Sequence, residues 1–365
     1  MYENELKAIH KSNRYREREI FDEDFIDLAS NDYLGFSEDK ELFEKAYQGV
    51  LKHKTHAPKA SQLVNGYHPI HKEFEDYLCE INGFSEAIIV GSGFLANLSL
   101  IEALVRKNDL LVLDELYHAS GILSSKLVDA EVIYFRHNDS LHLEEILNSH
   151  KFHRAIVCVE GIYSMDGDIL NRDIFKVCES ENILLVVDEA HSSGVLGDNL
   201  LGVYEHFNIT PKSNYIKMGT LGKAYGSYGA FILADFEIID YLQNRAKAII
   251  YATAPSVFDT ALALEGVLKT QKEKEEIRAK IENIKELVEE IFGIKMQGMI
   301  LKLDVENSEM ALDLKEFAKQ RGFLIGAIRP PTVKHAIIRL IPRISVDIGV
   351  LKKFLLELKD EIHCS

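Results

Sequence analysis

Short runs of branched apolar residues that stop abruptly at a glycine or an acid recur along this chain, and they restrict its architecture more than any other feature. Ala87–Val90, Leu110–Leu113, Ala155–Val159 and Ile183–Val187 contain no polar alternation. A strand with one wet face alternates apolar with polar residues, whereas a strand covered on both faces does not. Helical patterns separate the runs from about Leu63 to Pro255. An α/β fold is therefore expected, with a mostly parallel central sheet covered by helices. In such sheets ligands gather beyond the carboxyl ends of the strands, where the terminal polar residues of these runs stand.

The pattern changes on either side of this region. Residues 1–40 are strongly charged apart from the patch Phe25-Ile26-Asp27-Leu28-Ala29, and read as a short N-terminal arm with one short strand. Residues 41–255 form the large domain. Residues 256–365 read as a smaller α+β C-terminal domain. There Ile277, Ile281, Ile284, Leu287, Val288 and Ile291 recur at helical spacing within Lys269–Ile291. Met299–Asp304 and Ile337–Ile341 look like strands, Arg329-Pro330-Pro331-Thr332 like a rigid turn, and a last helix is expected from about Val350.

Net charge narrows the function. With 42 basic and 58 acidic residues the chain carries −16, so its long-range field repels nucleic acid and anionic membranes. No run reaches the ~18 apolar residues of a membrane span, and the charged start lacks the apolar core of a signal peptide. Cys79, Cys158, Cys178 and Cys364 show no C-x-x-C pairing, so neither a zinc site nor a disulfide framework is indicated. A cytoplasmic enzyme is the expectation, with no nucleic-acid, membrane or metal partner.

Chemistry concentrates in two segments. Ile183–Val187 ends in Asp188-Glu189-Ala190-His191, and Thr220-Leu221-Gly222-Lys223-Ala224-Tyr225-Gly226 sets one lysine between glycines. Taken singly, Asp188 is a helix cap, His191 a structural histidine and Lys223 a solvated surface residue. Together an amine, a carboxylate and an imidazole are what pyridoxal 5'-phosphate requires: the lysine for the imine, the acid to keep the pyridine nitrogen protonated. A nucleotide loop is excluded, because Ala224 stands where a Walker A motif needs Ser or Thr. Gly91-Ser92-Gly93-Phe94 follows a strand and opens a helical pattern, so its amides suit a phosphate. His118 has the shape to stack on the pyridine, and Glu160 through Asp168 bring polar groups to the same rim.

Asn31-Asp32-Tyr33-Leu34-Gly35, Ser92-Gly93-Phe94-Leu95-Ala96-Asn97, His118-Ala119-Ser120, Glu160-Gly161-Ile162-Tyr163-Ser164-Met165-Asp166-Gly167, Asp188-Glu189-Ala190-His191 and Thr220-Leu221-Gly222-Lys223 occur in that order. The set closely resembles the α-oxoamine synthases, which are fold-type I PLP-dependent transferases. Ala327-Ile328-Arg329-Pro330-Pro331-Thr332-Val333 is most similar to the alanine-dependent branch that serves biotin synthesis. The resemblance implies that Lys223 carries the coenzyme, Asp188 pairs with its ring nitrogen and His191 with its ring hydroxyl. It implies that His118 stacks on the ring, with Ser164 beside its hydroxyl and Glu160 on the same rim. Ser92, Gly93, Phe94 and Thr220 would hold the phosphate, and Thr253 would reach the phosphate of a neighbouring subunit. A homodimer with shared active sites, fed by L-alanine and an acyl thioester on coenzyme A or an acyl-carrier protein, is implied as well.

Three departures mark the carry-over. Arg339 matches the carboxylate-binding arginine, but Arg339-Leu340-Ile341-Pro342-Arg343 leaves Arg343 as an alternative. Gln62 stands where relatives often have arginine, and Arg14 is the match offered by the short arm. A sister synthase using glycine or serine, an aminotransferase of the same fold, and a non-catalytic module are the competing readings. The complete lysine, aspartate and histidine set weighs against the last.

Overall fold

The computed structural model describes residues 1–12 and 15–364 of the chain. Twelve strands occur among them: β1 (Ile26–Asp27), β2 (Glu86–Val90), β3 (Leu110–Asp114), β4 (Glu131–Phe135), β5 (Ala155–Glu160), β6 (Ile183–Asp188), β7 (Tyr215–Thr220), β8 (Ala230–Ala234), β9 (Leu301–Asp304), β10 (Phe323–Leu324), β11 (Gly326–Ile328) and β12 (Ile337–Leu340). Seven make the central sheet in the order β2-β8-β7-β6-β5-β3-β4. Only β8 runs against the others, pairing antiparallel with both β2 and β7.

The apolar runs are buried on both faces, as their lack of alternation predicts. Successive residues enter two different cores. Ala155, Val157 and Val159 of β5 pack with Leu185 and Val187 of β6 on one side. Ile156, Cys158 and Val186 pack on the other, under the helix Gly93–Leu104. The parallel strands β3, β5, β6 and β7 then end in polar residues on the same edge of the sheet: Asp114, Glu160, Asp188 and Thr220. Glu160 and Asp188 are direct neighbours across the β5–β6 ladder.

A helix of 36 residues, Val257–Phe292, runs from the Ser256 cap to Gly293, which sits in the left-handed region at φ 70°. The helical spacing of apolar residues marks only its charged half, from Lys269. Its first half is apolar on several sides because it lies under the helix Lys40–Leu51 and against the Lys223 loop. Beyond it β9, β12 and β11 form an antiparallel sheet, with the Arg329–Thr332 turn between β11 and β12. The final helix spans Ile348–Cys364. The Phe25–Ala29 patch does not stand alone. β1 pairs in parallel with β10, and the Leu28 carbonyl accepts from Ile341 N at 2.8 Å, so the N-terminal segment is stitched to the C-terminal sheet. No helix among the described residues is long and apolar enough to cross a membrane.

Candidate active site

The loop after β7 presents Lys223. Ser227 N returns to the Leu221 carbonyl at 3.0 Å and Gly226 N to the Lys223 carbonyl at 3.1 Å, which closes a tight turn. Gly226 adopts φ 61°, and a Cβ there would lie 2.6 Å from Phe36. Gly266 of the long helix likewise lets the Tyr225 carbonyl approach, where a Cβ would stand 2.7 Å away. Gly226 is thus explained by a turn and its packing, while Gly222 meets nothing closer than 3.4 Å. The lysine is pinned from two sides.

Gly93, Phe94, Asn97, His118, Glu160, Asp188, Ala190, His191, Met218, Thr220 and Lys223 line one pocket at the strand ends. Lys223 Nζ lies 2.7 Å from His191 Nε2. The other nitrogen of that ring, Nδ1, is 2.5 Å from the Tyr33 hydroxyl. Burial pushes the Lys223 amine down to about 8, against the charges of Asp188 and Glu160, which favour the ammonium form. Burial also drives His191 well below the usual imidazole range, helped by the Lys223 and Arg339 charges. Asp188 accepts from Ala190 N at 3.0 Å through Oδ1 and from Asn97 Nδ2 at 3.0 Å through Oδ2. Burial and the nearby Asp188 push the Glu160 carboxyl well above its ordinary value. One Glu160 oxygen accepts from Ser164 N at 3.0 Å, while the other, Oε1, is buried without a partner.

The remaining expected residues fall into three groups. Ser92 caps the helix Gly93–Leu104 by accepting from Leu95 N, beside the Gly93 and Phe94 amides. Ser164 and Arg339 adjoin the pocket together: Arg339 Nε donates to the Ser164 carbonyl at 2.8 Å and Nη2 to Asn31 Oδ1 at 2.9 Å. Thr253 is exposed and does not line the pocket of its own chain, and Arg14 lies outside the described residues. The two candidate arginines differ in their partners, Arg343 being the paired one. It is spent on Asp32 at 3.1 Å and Glu38 at 2.9 Å, whereas no carboxylate pairs with buried Arg339 among the described residues. Gln62 Nε2 donates to the Ile89 carbonyl at 2.7 Å and so tethers its segment to the strand that leads into the Ser92 turn.

Roles for Asn31, Tyr33, Asn97 and Tyr117 escaped the sequence reading, although each stands inside or beside a quoted motif. The available signal was spacing: Asn97 is one helical turn from Gly93, and so shares its face.

A second polar cluster braces these loops from behind. Asp114, fully buried at the end of β3, accepts from the Tyr163 hydroxyl at 2.7 Å, Asn138 N at 2.8 Å and Leu116 N at 2.8 Å. His137 sits between Asp114 and Asp168, 3.0 Å from each. Burial alone would push its imidazolium down, but the two carboxylates prevail and lift it to about 10. A group with a raised folded pKa stabilises fully below its unfolded value, and that contribution fades as pH rises through the folded value. His137→Ala should therefore lower the melting temperature most below about pH 6.5, the ordinary histidine value. The gap from the parent chain should close as pH climbs toward about 10. A gap that holds constant in melts across that range would refute the clamp.

Comparison with known proteins agrees with this geometry. The sequence profile of the class I and II aminotransferases matches residues 23–348. The 8-amino-7-oxononanoate synthase of Helicobacter pylori is 44% identical over 342 residues, covering 93% of this chain and 92% of that one. The chain belongs to the α-oxoamine synthase family. An Aquifex aeolicus relative is 38% identical and covers 99% of this chain. Among solved structures, the 8-amino-7-oxononanoate synthase of Francisella tularensis superposes with a TM-score of 0.80 at 27% identity, covering 94% of this chain and 99% of that one. Serine palmitoyltransferase from S. paucimobilis shares the fold, with a TM-score of 0.88 at 21% identity over 100% of this chain and 98% of that one. As an α-oxoamine synthase the chain uses pyridoxal 5'-phosphate on a fold-type I scaffold. Its own groups fit that coenzyme: a buried amine of lowered pKa, a carboxylate at a strand end, and a helix N-terminus capped by Ser92.

Proposed function

We propose that this α-oxoamine synthase condenses L-alanine with a pimeloyl thioester, releasing 8-amino-7-oxononanoate, carbon dioxide and the free thiol in biotin synthesis. The observation that carries the reading is the convergence of Lys223, Asp188 and His118 on one pocket, with Arg339, which pairs with no carboxylate among the described residues, at its edge. When bound, pyridoxal phosphate supplies a cationic ring that takes up an electron pair, first on loss of the α-proton and again on loss of carbon dioxide.

The chain's residues divide the remaining work. Lys223 holds the coenzyme, and its amine, near neutrality at about 8, takes the α-proton of alanine at Nζ. Asp188 keeps the ring nitrogen protonated. Arg339 and Asn31 receive the alanine carboxylate, because a buried guanidinium without an acidic partner favours one from a ligand. Burial holds His118 below the usual imidazole range, so it serves as a neutral donor to the oxygen of the acyl group. Ser92, Gly93, Phe94 and Thr220 bind the phosphate, and Thr253 contributes from the second subunit of a homodimer. Exposed Tyr251 and Val64, 80% and 77% accessible, support an apolar partner face near that threonine.

The test is a product assay on the reconstituted protein with alanine, glycine or serine, each offered pimeloyl-coenzyme A or pimeloyl-carrier protein. Alanine should give equimolar thiol, carbon dioxide and the C9 amino ketone. Preferential α-proton exchange from glycine, or accumulation of pyridoxamine phosphate with an amino acid alone, would overturn the assignment.

A further inference from the structure

Behind the pocket, one buried amide joins two groups that the reaction uses separately. Asn97 is 1% exposed at the start of the second turn of the helix Gly93–Leu104. Its Nδ2 donates to Asp188 Oδ2 at 3.0 Å and to Ser120 Oγ at 3.0 Å, while its Oδ1 accepts from the Tyr117 hydroxyl at 2.5 Å. These three contacts fix which way the amide faces. A flipped amide would set its oxygen against the Asp188 carboxylate and leave the Tyr117 hydroxyl without an acceptor.

The chain of donors continues outward. Ser120 Oγ, already accepting from Asn97, lies 2.6 Å from His118 Nδ1. The Ser120 backbone N–H reaches the same Nδ1 at 3.2 Å. That backbone donor makes Nδ1 an acceptor, turns the Ser120 hydroxyl proton toward it and puts the imidazole proton on Nε2. Burial keeps the ring neutral.

We propose that Asn97 is a positioning residue that binds the ring-nitrogen carboxylate and the stacking imidazole into one unit, with Tyr117 setting its orientation. Asp188 is thereby held in one rotamer at the strand end. His118 is held as a neutral imidazole whose single donor is Nε2–H. Packing alone would ask only for volume at this position; the hydrogen-bond pattern asks for two donors and one acceptor in one plane.

The double variant Asn97→Leu with Tyr117→Phe separates these possibilities. Leucine keeps the branch at Cγ without its polar atoms, and phenylalanine removes the hydroxyl that leucine would strand. The melting temperature should stay within a few degrees of the parent. The dissociation constant for pyridoxal phosphate, measured on the protein alone, should rise at least fivefold. In the alanine assay kcat should fall at least tenfold, with KM for alanine within threefold. Because the role rests on the coenzyme site proposed above, coenzyme affinity is read without either substrate. A wrong acyl donor therefore leaves that result intact. Coenzyme affinity and kcat both within twofold of the parent would reduce Asn97 to a space-filler and overturn the proposal. A drop in melting temperature with unchanged coenzyme affinity would overturn it too.

Discussion

Lys223→Ala should abolish turnover, by at least about 10⁴-fold, while leaving the fold in place. The loss has two sources. The amine that fixes the coenzyme disappears, and so does the base that takes the α-proton. No other lysine among the described residues lines the pocket. Lys217, nearest along β7, points through the opposite face of the sheet to Asn82 and Leu201. Borohydride reduction followed by denaturation should therefore leave coenzyme on the parent chain and none on the variant. The lowered pKa adds a second, independent signature. An amine near 8 is half neutral at pH 8, where an ordinary lysine is almost wholly charged. Coenzyme capture by the unloaded protein should accelerate as pH rises and level off above about 8. Asp188 and Glu160 face this amine and favour its charged form, whereas Arg339 and burial oppose it. A capture rate still climbing steeply beyond pH 9.5 would show that burial does not lower this amine. Reducible coenzyme retained by the variant would displace Lys223 from its role altogether.

How much of this was readable in the chain depends on the range of the interactions. The central sheet was legible because burial on both faces leaves uninterrupted apolar runs, and the strand ends were legible because each run stops at a glycine or an acid. That rule alone places Asp188 and Glu160 on one edge. It does not reveal that they are direct neighbours across the ladder, since strand order is set by packing between distant segments. Arg339 and Arg343 are equally good arginines in sequence. Only the positions of Asp32 and Glu38, some 300 residues earlier, consume the second. Asn97 was visible as part of a motif, yet its meaning lies in Asp188, 91 residues on, and in Ser120. The long helix shows the converse case. Its charged half carries a clean apolar stripe, whereas its first half is enclosed on several sides and loses the periodic contrast that a solvent-facing surface provides.

Lys217→Met is expected to be the most destabilising single change away from the pocket, at about 3–5 kcal/mol. Strand alternation sets up the pair: Asp188 turns toward the pocket, and Glu189 beside it turns inward. Glu189 is fully buried, accepts from Val203 N at 2.8 Å and from the Ser192 hydroxyl, and lies 3.9 Å from Lys217 Nζ. Lys217 is 1% exposed and donates to Asn82 Oδ1 at 2.8 Å and to the Leu201 carbonyl. Methionine keeps most of the volume but leaves a carboxylate in the core with no cation beside it. Burial holds the Lys217 amine below its usual pKa, against the charges of Glu189 and Glu205. The melting temperature should fall by roughly 4–7 °C. Adding Glu189→Gln removes the stranded charge while keeping an acceptor for Val203, and should recover most of that loss. A double variant that melts below Lys217→Met would mean that lost hydrogen bonds, and not the uncompensated charge, set the cost. In that event Glu189 acts mainly by ordering the segment around Gly202, whose φ of 98° lets the backbone pass within reach of its carboxylate.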